Sequence, residues 1–164
     1  MRELTPLEVY GIAIRSEISA RDYYERLKNR LKKDIAPLRE KLEFLKGEEE
    51  KHLRLLTSLY QRAFPKIPLR LPKKSIAPLP KIPLKGKISL SYLLEKAMAA
   101  ELASEEFYKS AEEKSEEENT RKVFSYLASM EKGHYFLLKA EYDLINTFAD
   151  YDSFKKFSLE HLGP

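Results

Sequence analysis

The sequence contains no cysteine, and this absence excludes several classes of chemistry at once. Without thiols the chain can form no disulfide, iron–sulfur cluster or zinc-thiolate site, and it has no cysteine nucleophile. The first residues, 1–5, lack the apolar core of a signal peptide. No apolar run approaches the roughly 20 residues that a membrane-spanning helix needs. We therefore expect a cytoplasmic protein with no membrane partner.

Asparagine and glutamine are also scarce, at three and one residues, whereas lysine and glutamate are abundant. This balance is typical of proteins from thermophiles. A length of 164 residues suits one domain with one sizeable core. Charged residues at 34% and hydrophobic residues at 43% are ordinary for a globular protein. The composition therefore predicts a single domain over residues 1–164.

The net charge of +4 is distributed unevenly along the chain. Residues 65–87 carry seven basic side chains and no acidic one, so the rest of the chain is net acidic. A basic stretch can indicate nucleic acid as a partner. Because the surrounding body is acidic, we expect no nucleic-acid partner.

Four long segments show the 3.6-residue period of helices with one apolar stripe. Thr5-Pro6-Leu7-Glu8 forms a capping box with proline at the first helical position. Pro37 is a second proline of this kind, and Ser89 and Asn119 are candidate N-caps. The expected helices cover about residues 6–33, 37–63, 90–117 and 120–148.

The segment 64–88, called the crossover below, holds six of the nine prolines and so is expected to be extended. The connections on either side of it are short, which makes each flanking helix pair an antiparallel hairpin. An extended chain of this length, at about 3.1 Å per residue, is ample to recross the bundle. The predicted fold is all-α: a ferritin-like four-helix bundle of two antiparallel hairpins joined by a long proline-rich crossover, with a short C-terminal helix in 150–164.

The crossover also alternates large aliphatic residues with its prolines and basic residues. A disordered linker would need fewer large aliphatic side chains, so we expect this segment to pack against protein. The aliphatic residues are Ile67, Leu69, Leu71, Ile76, Leu79, Ile82 and Leu84.

The two predicted hairpins repeat one another in sequence. Ser16–Tyr24 aligns with Ala100–Tyr108, and Glu49–His52 aligns with Glu131–His134. The spacing between the aligned glutamates is 32 residues in the first hairpin and 30 in the second. An internal duplication is the simplest interpretation.

Each predicted helix carries one glutamate inside its apolar stripe. These residues are Glu17, Glu49, Glu101 and Glu131. Each lies about 11–13 residues after its predicted helix start, so antiparallel helices of equal length place all four at one level in the bundle. Four unpaired carboxylates in a dry core would cost several kcal/mol each. Two divalent cations would neutralise them.

Two histidines complete the predicted metal site. His52 and His134 follow Glu49 and Glu131 at i+3, which places each imidazole on the face of its glutamate and adds a nitrogen donor. The alternative is that a glutamate-rich chain matches Glu-x-x-His by chance and that its glutamates are solvated. His161 has no acidic partner at this spacing and is expected at the surface.

Two tyrosines lie seven residues beyond glutamates of this set, on the same helix faces. They are Tyr24, after Glu17, and Tyr108, after Glu101. A phenol at this position can donate a hydrogen bond to a ligand carboxylate and fix its orientation. The alternative is ordinary aromatic packing in the core. Gly133 is expected to be a tolerated surface glycine.

The pattern resembles the rubrerythrin branch of the ferritin-like di-iron proteins. The resemblance rests on Glu17, Glu49-x-x-His52, Glu101 and Glu131-x-x-His134. It implies two iron ions, each held by one Glu-x-x-His pair, with carboxylates that bridge the metals and carry the catalysis. Carboxylate and imidazole ligands also accept manganese, and zinc can occupy such sites after purification.

Two features depart from that family. Rubrerythrins typically carry a further glutamate where this chain has Ser104, and Ala20 fills the matching place in the first hairpin. Glu105 lies one turn from Glu101 and can substitute for the glutamate that is missing at Ser104, although Arg21 occupies the position that matches Glu105 in the repeat. Rubrerythrins also carry a four-cysteine rubredoxin domain, which has no counterpart here.

The resemblance implies a di-iron oxidoreductase that reduces hydrogen peroxide or dioxygen with electrons from an external donor such as a rubredoxin. The alternatives are a ferritin-like iron-binding protein with ferroxidase activity, a hydroxylase of an organic substrate, and a metal-free structural bundle. A homodimer is expected, and a connection as long as the crossover permits exchange of hairpins between subunits.

Overall fold

The computed structural model describes residues 4–31, 36–82 and 88–147. These residues form four α-helices: α1 (Pro6–Arg30), α2 (Ala36–Ala63), α3 (Leu90–Lys114) and α4 (Glu118–Thr147). The predicted all-α architecture is confirmed. None of the helices in the described residues combines the length and hydropathy that a membrane crossing requires.

Local sequence signals set the starts of α1 and α3. The Thr5 hydroxyl accepts a hydrogen bond from the Glu8 amide at 3.3 Å, and the Glu8 carboxylate accepts one from the Thr5 amide at 2.9 Å. This reciprocal pair is the predicted capping box. The Ser89 hydroxyl accepts from the Tyr92 amide at 3.2 Å, as expected of an N-cap.

The prediction that Asn119 caps the fourth helix was wrong. The helix begins at Glu118, so Asn119 lies inside its first turn. The Glu117 carboxylate accepts hydrogen bonds from the amides of Asn119 at 3.1 Å and Thr120 at 2.8 Å. Glutamate is a less usual cap than asparagine, but its longer side chain reaches both free amides here.

Three other predicted helix boundaries differ by one to three residues from those observed. α1 ends at Arg30, because Leu31 already has extended backbone with φ −69° and ψ 142°. α2 begins at Ala36, one residue before Pro37. α3 ends at Lys114 and not at Glu117, because Ser115 is extended with ψ 128°. The C-terminal helix predicted for 150–164, together with His161, lies outside the described residues, as does Leu84 of the crossover.

The helices pair as two antiparallel hairpins. Near the start of α1, the Tyr10 ring lies 6.2 Å from that of Tyr60, near the end of α2. Near the start of α3, Ser91 donates a hydrogen bond at 3.1 Å to Asn146, near the end of α4. α1 also packs on α3, and α2 packs on α4, so the two hairpins lie face to face.

The buried apolar residues form two clusters, one at each end of the bundle. The upper cluster comprises Tyr10, Ala13, Ile14, Leu56, Leu59, Tyr60, Tyr108, Ala111, Phe124, Leu127 and Ala128. The lower cluster comprises Tyr23, Tyr24, Leu27, Leu38, Leu42, Leu45, Leu93, Leu94, Ala97 and Leu138. Along every helix the two clusters are separated by a short polar interval, which holds the candidate site.

The crossover follows α1 from the upper to the lower end of the bundle. At Gly11 an added Cβ would lie 3.2 Å from the Arg70 carbonyl oxygen, so the lack of a side chain permits this close approach. Further down, the Ile76 amide donates to the Ser16 hydroxyl at 3.3 Å. The crossover therefore has fixed contacts with α1 at two levels.

The prediction that the crossover packs against protein is confirmed for residues 64–82. Leu69 packs on the upper cluster, and Leu79 and Ile82 pack on the lower cluster. Two aliphatic residues of the crossover do not pack in this way: Ile67 is 47% exposed and Leu71 is 41% exposed.

Candidate metal centre

The six residues predicted as metal ligands converge in the polar interval between the two apolar clusters. Each side chain is almost fully buried, with no more than 3% of its surface exposed. They are Glu17, Glu49, His52, Glu101, Glu131 and His134. The equal depth that the sequence predicted for the glutamates thus becomes one layer of carboxylates and imidazoles.

The first half of this layer brings together residues from three helices. Glu17, Glu49, His52 and Glu131 each offer one ligand atom, and these four atoms lie within 4.8 Å of one another. The His52 Nδ1 atom lies 3.5 Å from Glu17 Oε2, 3.2 Å from Glu49 Oε2 and 3.2 Å from Glu131 Oε1. One imidazole nitrogen therefore faces three carboxylates.

The second half repeats the arrangement around the other imidazole. Glu49, Glu101, Glu131 and His134 also offer four ligand atoms within 4.8 Å of one another. The His134 Nδ1 atom lies 3.3 Å from Glu49 Oε1, 3.6 Å from Glu101 Oε2 and 3.6 Å from Glu131 Oε2. The internal repeat in the sequence thus appears as a pseudo-twofold arrangement of two half-sites.

Glu49 and Glu131 belong to both half-sites and divide their oxygens between them. Oε2 of Glu49 and Oε1 of Glu131 face His52. The other oxygen of each carboxylate faces His134. Glu49 and Glu131 would therefore bridge two ions bound there, whereas Glu17 and Glu101 each belong to a single half-site.

Unpaired polar atoms in the layer test whether a cation fits there. Both oxygens of Glu49 and both ring nitrogens of His52 and His134 are buried without a hydrogen-bond partner in the described part of the chain. Leaving such atoms unsatisfied costs about 1–3 kcal/mol each. Ligands held about 2.0–2.2 Å from one ion, at angles near 90–110°, lie roughly 3.0–3.5 Å apart. The observed separations of 3.2–3.6 Å match this spacing, so the residues fit a pair of metal ions.

Burial and mutual repulsion shift the pKa values of the two outer carboxyls. Burial, followed by repulsion from Glu131, raises the pKa of Glu17 well above its usual range. The same two causes raise the pKa of Glu101 to about 8. Both groups tend to keep a proton at neutral pH when no metal is bound.

The pKa values of the bridging carboxyls and of the histidines shift in the directions that favour their charged forms. Burial alone would raise the pKa values of Glu49 and Glu131. Contacts with His134, His52 and Glu17 leave the pKa of Glu49 below its usual range, and contacts with Glu101 and both histidines do the same for Glu131. Burial alone would lower the pKa of His52, yet three carboxylates raise it to about 12. The pKa of His134 is raised for the same reason.

The directions of these pKa shifts favour a metal-free layer without net charge at neutral pH. Its two outer carboxyls hold protons, and its two bridging carboxylates balance two imidazolium ions. Two divalent ions with four carboxylates and two neutral imidazoles would also be neutral. Protons and metal ions can thus replace one another without leaving an uncompensated buried charge.

The two tyrosines connect the hairpins through the outer carboxylates. Tyr24 of α1 donates its O–H to Glu101 Oε1 of α3, and Tyr108 of α3 donates to Glu17 Oε1 of α1. Burial raises the pKa of both phenols, which keeps them protonated as donors. Tyr108 also contributes to aromatic packing in the core, because its ring stacks on Phe124.

If these phenols position metal ligands, Tyr24→Phe will lower metal affinity by about 10- to 100-fold, as loss of a ligand's supporting partner usually does. Tyr23→Phe is the matched control, because the Tyr23 hydroxyl donates at 2.6 Å to the Leu93 carbonyl outside the layer. Competition with a coloured chelator measures both affinities. Equal affinities in the two variants would contradict a positioning role.

Other candidates from the sequence lie away from the layer or at the surface. Glu105 is buried, but its carboxylate contacts Lys109 Nζ at 2.6 Å and Lys132 Nζ at 3.8 Å, and it belongs to neither half-site. Gly133 is exposed, with open space where a side chain would extend. The expectation of a tolerated surface glycine is confirmed.

The sequence reasoning missed Glu48. This residue is 6% exposed, and its carboxylate shares a group of ligand-capable atoms, within 4.8 Å, with His52 and His134. Lys51 pairs with it from the surface. The spacing of four residues from Glu48 to His52 was a signal for this contact. The run of three glutamates at 48–50 concealed it, since only Glu49 falls in the apolar stripe.

The comparisons with known proteins agree with the fold. The family model described as Rubrerythrin matches residues 8–142. A solved structure of a hypothetical protein from Pyrococcus furiosus is 36% identical, with a TM-score of 0.76. The match covers 88% of this chain and 92% of that one. No curated protein matches the chain.

Proposed function

Because this chain belongs to the rubrerythrin family, we propose that it is a di-iron oxidoreductase that reduces hydrogen peroxide to water with electrons from a separate protein. The observation that carries the proposal is the pair of half-sites that share Glu49 and Glu131 in a buried layer. Glu17 and His52 would complete one iron site, and Glu101 and His134 would complete the other.

A bound iron pair would supply one electron from each ion, which is the number that cleavage of one O–O bond requires. Reduction of one hydrogen peroxide consumes two electrons and two protons and yields two water molecules. No organic radical or second substrate is needed for this balance. Two further electrons must then return the site to its starting state.

The chain's own residues set the conditions for this reaction. The four carboxylates would offset the positive charge of a bound metal pair. The phenols of Tyr24 and Tyr108 donate hydrogen bonds to Glu101 Oε1 and Glu17 Oε1 and so restrict rotation of the outer carboxylates. The apolar clusters above and below the layer limit access of water.

The electrons are proposed to come from outside the chain. With no cysteine, the sequence provides neither an iron–sulfur relay nor a dithiol. A small redox protein such as a rubredoxin is the proposed donor, and a homodimer is the proposed assembly. The cytoplasm, where such donors are available, is the proposed location.

Anaerobic stopped-flow spectroscopy of the di-ferrous protein tests the reaction. We expect hydrogen peroxide to oxidise the site at least about tenfold faster than dioxygen does, a difference of about 1.4 kcal/mol in the barrier. Glu50→Gln is the matched control and should not alter either rate. Glu50 is the half-buried neighbour of Glu49 and lies outside both half-sites. Faster oxidation by dioxygen, with ferric mineral accumulating, would instead favour a ferritin-like ferroxidase.

A further inference from the structure

A cavity adjoins the metal layer in the seam between α1 and α3. All four glutamates of the layer line it: Glu17, Glu49, Glu101 and Glu131. Neither histidine is among the described residues that line it. The cavity therefore opens on the carboxylate side of the layer, where a small molecule can approach both half-sites at once.

Small side chains on the two facing helices create this space. Ala20 of α1 lies opposite Ala100 and Ser104 of α3 along the cavity wall. The space accommodates about one water molecule. A space of this size favours a small unbranched molecule over one that carries a branched alkyl group.

The crossover closes the cavity on its outer side with Ala77 and Leu79. Each of these residues precedes a proline, Pro78 or Pro80, which restricts its backbone to extended conformations. Leu79 also packs on the lower cluster. The hydrogen bond from the Ile76 amide to α1 fixes the chain just before this point. Leu79 is thus held over the opening by a stiff segment.

We propose that the cavity between α1 and α3 admits and holds the oxidant, and that Leu79 is the residue that limits the oxidant to small unbranched molecules. Hydrogen peroxide and dioxygen satisfy this limit, and tert-butyl hydroperoxide does not. The inference rests on the proposed function, since it assigns the substrate size of the same site. It concerns residues that bind no metal in either half-site.

The first test compares Leu79→Ala with Leu71→Ala in the iron-loaded protein. Leu71 lies in the same crossover but is 41% exposed, so its truncation controls for general loosening of the segment. Leu79→Ala should accelerate oxidation of the di-ferrous site by tert-butyl hydroperoxide by about tenfold or more. This is the usual size of the rate difference when a pocket discriminates between substrates of different size. The rate with hydrogen peroxide should change far less. Equal acceleration in both variants, or none in either, would overturn the assignment of Leu79.

The second test needs no redox chemistry. Azide is small and linear, and its binding to cobalt-loaded protein can be followed by the visible bands of cobalt. Ser104→Leu fills the cavity from the α3 side and should weaken azide binding by about tenfold or more, with two cobalt ions still bound. Leu79→Val, a milder truncation than Leu79→Ala, should not weaken it. Undiminished azide binding in Ser104→Leu would overturn the cavity as the binding position.

The two tests separate this inference from the proposed function. If Ser104→Leu weakens azide binding and Leu79→Val does not, but hydrogen peroxide does not oxidise the site faster than dioxygen does, the cavity assignment stands and the peroxidase proposal fails. If hydrogen peroxide is reduced rapidly but Leu79 and Leu71 variants behave alike, the peroxidase proposal stands and the role of Leu79 fails.

Discussion

Replacing Glu49 and Glu131 together by glutamine will abolish stoichiometric metal binding. These two carboxylates belong to both half-sites, so the double variant changes two of the four donors of each half-site. It also removes two of the four negative charges that two divalent ions require. We expect elemental analysis of reconstituted protein to find two ions per chain in the unaltered protein and none above background in the variant.

Unfolding experiments provide an independent measurement of the same loss. Metal that binds only the folded state adds about 4 kcal/mol to the free energy of unfolding when its free concentration is 1,000 times Kd. The unaltered protein should gain this stability on metal addition, and the double variant should gain almost none. Glu50→Gln, at a half-buried neighbour outside both half-sites, should behave as the unaltered protein does. A double variant that retains two ions would refute the proposed centre.

Metal binding will strengthen steeply as the pH rises, because the metal ions replace protons. Near neutral pH the metal-free layer holds one proton each on Glu17, Glu101, His52 and His134 that binding must displace. Each displaced proton makes the binding free energy about 1.4 kcal/mol more favourable per pH unit. About four protons correspond to roughly a ten-thousandfold increase per pH unit in the overall constant for two ions.

The stability of the metal-free protein should change with pH in the opposite direction. The pKa of Glu101 is raised from 4.5 to about 8 on folding, and that of His52 from 6.5 to about 12. A raised pKa contributes stability that is complete below the unfolded value and is lost as the pH rises through the folded value. The free energy of unfolding should therefore begin to fall near pH 5 through Glu101 and continue to fall above pH 8, because the contribution of His52 is lost between pH 6.5 and about pH 12. The lowered pKa values of Glu49 and Glu131 act only below pH 4.5, where their stabilisation is lost.

Calorimetry in buffers of different ionisation enthalpy counts the displaced protons directly. We expect about four per two ions near neutral pH, and the Glu49→Gln and Glu131→Gln double variant should show none because it does not bind. Release close to zero, or an affinity independent of pH, would contradict the charge balance inferred for the metal-free layer. Denaturant titrations of the metal-free protein at several pH values check the stability trend.

The sequence was sufficient for those features that depend on position within one helix. The period of apolar residues defined four apolar stripes, one on each helix. A glutamate within such a stripe is buried whenever the stripe faces the core. The i+3 spacing placed His52 and His134 beside their glutamates without any knowledge of neighbouring helices. The prolines of 64–88 excluded a fifth long helix. These arguments need only the geometry of a single helix or an extended chain.

Features that depend on contacts between elements required the tertiary structure. The sequence placed Tyr24 on the face of Glu17, but the phenol donates to Glu101 on the opposite hairpin. The position of Leu79 over the cavity was equally inaccessible, because extended chain has no internal hydrogen bonds that fix which residue faces the bundle. Local geometry determines which face and depth a residue has on its own helix, whereas packing determines which other residue it contacts. The sequence by itself therefore determined which six side chains lie in the buried layer, and only the tertiary structure decided how the carboxylate oxygens are divided between the half-sites and what covers them.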